Sequence, residues 1–135
     1  MTKEYEEKLR REREELYAAR KRYHAEMFEE RDRIIALFQK RGIRLATERP
    51  FNRVVTIENT DDYGIITDTC FQIPEDIDLE KVLRWFVHST KYYSCTVFLL
   101  GWNPTTIYSD DGIDYFMKYA PAANARYLAE RGETK

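Results

Sequence analysis

The chain has 135 residues, 43% hydrophobic and 34% charged, which supplies apolar side chains for one core and argues against wholesale disorder. Its 22 Lys+Arg and 24 Asp+Glu leave a net charge of −2, against a generally basic nucleic-acid coat protein but compatible with a local basic patch. No apolar run approaches the ~20 residues of a membrane helix, the first residues lack the apolar stretch of a secretory signal, and two cysteines, Cys70 and Cys95, are too few for a disulfide framework, so a cytoplasmic setting is expected.

Composition changes at Gly42. Residues 1–42 hold 12 Lys+Arg and 10 Asp+Glu with no proline, and are rich in Glu, Arg, Lys, Leu and Ala, the good helix formers. Glu4–Lys8, Glu6–Arg10, Glu7–Arg11 and Glu29–Arg33 place an acid four residues before a base, each worth roughly 0.2–0.5 kcal/mol. Lys40 and Arg41 suit the negative end of a helix, and Gly42 suits the left-handed residue after it. At about 100° per residue, Tyr5, Leu9, Leu16, Tyr23, Met27, Ile34 and Phe38 fall within an arc of roughly 60°. Phe28, Ile35 and Leu37 add apolar surface around the second half only. A 40-residue helix is roughly 60 Å long, so its first half is expected to project from the domain.

Residues 43–135 read as α+β. Arg44–Thr47 is a short strand. Val54–Glu58 and Ile65–Ile73 are β-branched runs joined by the turn-forming segment 59–64. Asp76 or Asp78 caps a helix through about Tyr92, with Leu79, Val82, Leu83, Phe86 and Val87 on one face. Ser94–Leu100 is expected as the central strand, and Thr105–Tyr108 returns beside it after a turn at Gly101–Pro104. Asp110-Asp111-Gly112 is read as another turn. Ile113–Tyr119 and Pro121–Arg131 are read as two helical pieces, with Pro121 in a first-turn position. The expected fold is a long N-terminal amphipathic helix (residues 1–42) on a mostly antiparallel sheet, with one central helix and short C-terminal helices (residues 43–135), as one folding unit.

The residues give little for catalysis. Cys70 and Cys95 fall in strands and His24 and His88 in helices, with no Cys-x-x-Cys spacing for a metal and no glycine-rich phosphate loop. Asp61, Asp62, Asp68, Asp110, Asp111 and Asp114 are candidate oxygen ligands for a Mg-dependent nuclease, but aspartate beside glycine or tyrosine is ordinary turn chemistry. No cofactor is expected.

The surface is more informative. Arg10, Arg13, Tyr17, Arg20, Lys21, His24 and Arg31 lie on one flank of the seam, and Glu12, Glu26 and Glu30 on the other. Such a stripe can follow nucleic-acid phosphates, or border a seam that receives a partner helix. Glu6 and Glu14 beside the stripe would repel phosphate, which favours protein. Aromatic residues make up 14%, and tyrosine is enriched at interfaces. Trp85 and His88 fall off the apolar face of their helix, and Tyr92 and Trp102 at element ends. The candidate partner-binding residues are thus Tyr5, Leu9, Arg13, Leu16, Tyr17, Arg20, Lys21, Trp85, His88, Tyr92 and Trp102. The expected partner is a protein or nucleoprotein complex, or a second copy in an antiparallel helix pair that sets basic border against acidic border; direct nucleic-acid binding is the alternative. Small, aromatic-rich chains without a catalytic signature are familiar among virus- and plasmid-encoded inhibitors of host defence enzymes, anti-CRISPR proteins included. By that analogy of type, the expectation is a non-enzymatic inhibitor that occludes a larger machine.

Overall fold

Helix α1 runs unbroken from Lys3 to Lys40, in a computed structural model that describes residues 2–133. Thr2 caps it, its Oγ1 accepting the Tyr5 N–H at 3.2 Å. At the other end Arg41 N–H donates back to the Phe38 carbonyl, and Gly42 takes φ +82°, the left-handed conformation that glycine adopts without a Cβ clash. None of the four Glu-to-base pairs expected along α1 closes to ion-pair distance, as suits long side chains held in water.

Five strands follow: β1 (Arg44–Leu45), β2 (Val54–Thr60), β3 (Ile66–Gln72), β4 (Cys95–Phe98) and β5 (Thr105–Ile107). They form one antiparallel sheet in the order β1-β3-β2-β4-β5. Helix α2 (Leu79–Ser89) links β3 to β4, and α3 (Asp110–Glu133) ends the described chain. The fold is α+β. No described helix is long and apolar enough to cross a membrane.

The inward positions of the strands alternate as the pleat requires. Val55, Ile57, Phe71, Val97 and Ile107 join Met27, Ile34 and Phe38 of α1, Leu83 and Phe86 of α2, and Ile113 and Phe116 of α3 in one buried cluster. Phe38 sits at its centre, with ring centroids 5.0 Å from Phe71, 5.2 Å from Trp85 and 5.6 Å from Phe86. The outward positions Thr56, Glu58, Thr60, Thr96 and Thr106 are polar.

Three local expectations are corrected. The central strand is β2, with Val54 and Val55 fully buried, and the Ser94–Leu100 run contributes only Cys95–Phe98, one place toward the edge. The loop before β2 folds back so that Phe51 packs on Phe98, the cross-strand neighbour of Val54; this covers β2 on its outer side. Asp110-Asp111-Gly112 is the first turn of α3 rather than a turn between elements. Ser109 caps that turn, accepting the Gly112 N–H on Oγ at 3.2 Å, and the two aspartates sit where the helix dipole favours acid. The C-terminal pieces are one helix that runs through Pro121. Buried Ile113, Phe116 and Ala120 dock its first half. Asn124 ties down the second, donating to the Leu100 carbonyl at 2.7 Å and Asn52 Oδ1 at 2.8 Å.

Arg84 fastens α2 to the start of α3. Its guanidinium donates to Glu80 Oε2 at 3.1 Å, Asp110 Oδ1 at 2.8 Å and Asp114 Oδ1 at 2.5 Å. The hydrogen bond from His88, with Arg84 adding to it, holds the Asp110 carboxyl below its ordinary value of 3.8. A depressed folded pKa contributes stability above the unfolded value and loses it as pH falls through the folded one. An acid titration followed by circular dichroism should therefore show this contribution disappearing below pH 3.8. Asp110→Asn should flatten that part of the curve.

Candidate interaction surface

The seam of α1 keeps to one side of an unbroken helix, but its burial stops partway. Phe38, Ile34 and Met27 are 3%, 3% and 5% exposed, whereas Tyr23, Leu16 and Tyr5 are 49%, 69% and 50% exposed. Leu9 is half-buried and Tyr17 exposed. The side chains that tie α1 to the body all begin at its midpoint. His24 Nδ1 lies 2.8 Å from Asp62 Oδ1 in the hairpin between β2 and β3. Tyr92 packs edge-on against Tyr23, with centroids 5.3 Å apart, and donates its hydroxyl to Glu26. The Glu30 carboxylate accepts the backbone N–H groups of Lys91 and Tyr92, both at 3.1 Å, and the Tyr93 hydroxyl donates to the Met27 carbonyl at 2.5 Å. Among the described residues, no hydrogen bond, ion pair or ring contact joins residues 2–22 to the body. At 1.5 Å per residue this arm is about 30 Å long.

Because one arc carries both halves of the seam, the arm turns its apolar residues to the side on which the body lies. Where the arm leaves the body, the hairpin tip exposes Tyr63 (90%), Ile65 (60%) and Ile66 (61%). Sequence reasoning missed this patch, since Ile65 and Ile66 read as interior strand positions. Their only signal is a place just after Gly64, at the hairpin end of β3, where Ile66 pairs with Thr60, the last residue of β2.

The arm brings together seven of the expected contact residues: Tyr5, Leu9, Arg13, Leu16, Tyr17, Arg20 and Lys21. The other four lie apart from it or are engaged at home. Trp85 is partly buried against Phe38 and Phe86, and lines a groove of about 380 Å³ between α1 and α2. His88 pairs with Asp110, its Nε2 2.8 Å from Oδ2. Tyr92 is held by Glu26 and Tyr23 at the root of the arm. Trp102, half-buried, donates its indole N–H to Thr105 Oγ1 at 3.2 Å.

Most of the groups considered for catalysis have structural positions. Burial pushes the Cys95 thiol up to about 12, and burial with the nearby Asp68 charge raises Cys70, so both are protonated at neutral pH. Asp61 accepts the N–H groups of Tyr63 and Ile65, both at 2.9 Å, and so shapes the hairpin turn. Asp62 pairs with His24, and Asp110 and Asp114 with Arg84. Among the described residues no group of three or more His, Cys, Asp or Glu could hold a metal ion.

No family model, curated protein or solved structure matches this chain.

Proposed function

We propose that this chain is a non-enzymatic protein-binding module, a small inhibitor of the virus- or plasmid-encoded, anti-CRISPR-like type, that holds a larger protein or nucleoprotein machine through the α1 arm. The observation that carries this reading is the seam that outlasts its own core: Leu16 is 69% exposed on the arc where Ile34 is 3% exposed. A lone helix of about 20 residues is marginal in water, and exposed apolar residues do not steady it. A partner surface would.

A second copy fits this arm poorly. Parallel pairing sets basic flank against acidic flank, but drives the partner's α1 into the body on the seam side. Antiparallel pairing avoids the body, yet its two-fold axis places like flanks side by side, Arg13 and Arg20 beside the same residues of the other chain. This reverses the charge argument that the sequence first suggested. The better occupant is a different protein, apolar along its centre and acidic along one border.

Affinity capture from the native host, with mass spectrometry, tests the reading. Leu9→Glu with Leu16→Glu should remove the captured protein at least tenfold while moving the melting temperature by no more than about 4 °C, because Leu16 is exposed, the half-buried Leu9 lies outside the buried cluster, and substitutions away from a core usually stay within about 0.5 kcal/mol each. A captured protein indifferent to this pair, or purified protein that cleaves nucleic acid with Mg²⁺, would overturn it.

The basic flank supports nucleic-acid binding as a second reading. Gel-shift titrations at two salt concentrations separate the two. Phosphate contacts by Arg13, Arg20 and Lys21 predict steep weakening with salt, and removing all three should flatten the log–log slope by roughly 2–3.

A further inference from the structure

Strand pairing leaves a gap at one end of the sheet. β2 pairs with β3 along its whole length, but with β4 only at Val54↔Phe98, Val55↔Val97 and Thr56↔Thr96. The Ile73 N–H donates to the Arg53 carbonyl at 2.8 Å, so the odd-numbered residues of this run turn their peptide groups toward β3. Alternation then turns those of Thr56, Glu58 and Thr60 toward β4. Thr56 has its partner there. Glu58 and Thr60 lie past the end of the ladder and direct an N–H and a C=O each into open space.

That space is a groove of about 410 Å³, within the range of small-ligand sites. Tyr23 and Tyr92 form a corner, their rings 81° apart, and Tyr108 and Ser94 complete the walls. Every lining residue except Met27 and Glu58 carries a hydroxyl, and none is a lysine or arginine. Glu58 makes no hydrogen bond or ion pair. Its cross-strand neighbour on the same face is Asp68, equally unpaired, and like charges placed directly opposite repel. The edge of the groove already draws one cation: the Lys91 ammonium sits 5.1 Å from the centroid of Tyr92.

We propose that this groove binds an alkylammonium group, that of a lysine side chain or of a free polyamine, with Glu58 as its counter-ion. An ammonium has three donors and no acceptor. Glu58, the unpaired carbonyls of β2 and the hydroxyls accept those bonds, while the tyrosine faces present their negative quadrupoles. An anion would find no lysine or arginine among the lining residues, and the one ammonium at the rim, that of Lys91, is already held beside Tyr92. A neutral sugar could use the hydroxyls but would leave the Glu58–Asp68 repulsion standing.

The test is an amide-resolved NMR titration at constant ionic strength with spermidine, with a lysine-containing tripeptide blocked at both ends, and with glucose. Saturable shifts at Thr60 and Ser94 are expected with the amines and not with glucose; the tighter amine identifies the source. Glu58→Gln should weaken amine binding at least tenfold and raise the melting temperature by about 1–4 °C, as the repulsion is relieved. Tyr23→Leu, at a half-exposed position, should also weaken binding without loss of fold. No saturable shift with either amine, glucose binding in their place, or amine binding unchanged in Glu58→Gln would overturn the proposal.

Discussion

Phe38→Ala should lower the stability of the fold by about 3–5 kcal/mol, the range for removing a buried phenylalanine ring. Phe38 is 3% exposed, and its ring meets Phe71 of β3, Trp85 and Phe86 of α2. Truncation thus opens a cavity where α1, the sheet and α2 join. A loss of that size is a large part of the 5–15 kcal/mol typical of a domain. The melting temperature should fall by about 10–20 °C. Leu16→Ala, on the same arc of the same helix, should change it by no more than about 2 °C. If the two substitutions cost the same, the arm is packed in solution and its seam is not a free surface.

That contrast marks what sequence can reveal about α1. The arc of Tyr5, Leu9, Leu16, Tyr23, Met27, Ile34 and Phe38 is legible from spacing alone, because helical period is a local property. The point where burial stops is also partly legible, since Phe28, Ile35 and Leu37 thicken the apolar surface only in the second half. What the arm faces is not, because the side of the body depends on how distant segments dock. The same limit explains the sheet. Ser94–Leu100 looks central by hydropathy, yet Val54 is the strand residue covered from both sides, through a loop whose packing on Phe98 no local pattern announces.

The groove illustrates a second limit. Thr56, Glu58 and Thr60 show their polar alternation in the sequence, and Thr96 and Thr106 continue it. That β4 parts from β2 after Thr56 is a matter of register and strand length. Only with that register do Tyr23 of α1, Tyr92 and Glu58 become neighbours. Four of the expected contact residues failed to join the arm for a related reason. Trp85, His88, Tyr92 and Trp102 read as surplus aromatic or polar groups; the first three found partners on elements remote in sequence, and Trp102 found one three residues on, at Thr105.

Gly101→Ala should cost about 2–5 kcal/mol, combining left-handed backbone strain with overpacking. Gly101 has φ +87°, where a Cβ is strained in any surroundings. A Cβ built there would stand 2.6 Å from the Cβ of Tyr127 and 3.0 Å from the Ala123 carbonyl. Those atoms belong to the body of α3 and cannot rotate away, so the second half of that helix must shift. The shift strains the bonds that Asn124 makes to Leu100 and Asn52. Gly42→Ala separates the two effects: its φ is +82° with no atom within 4 Å, so only the backbone term of about 1–2 kcal/mol remains. Hydrogen exchange locates the difference. In Gly101→Ala the amides of residues 122–131 should lose protection while those around Ile113 and Phe116 keep theirs. Equal melting temperatures for the two variants would mean that α3 is not seated against the Gly101 turn in solution.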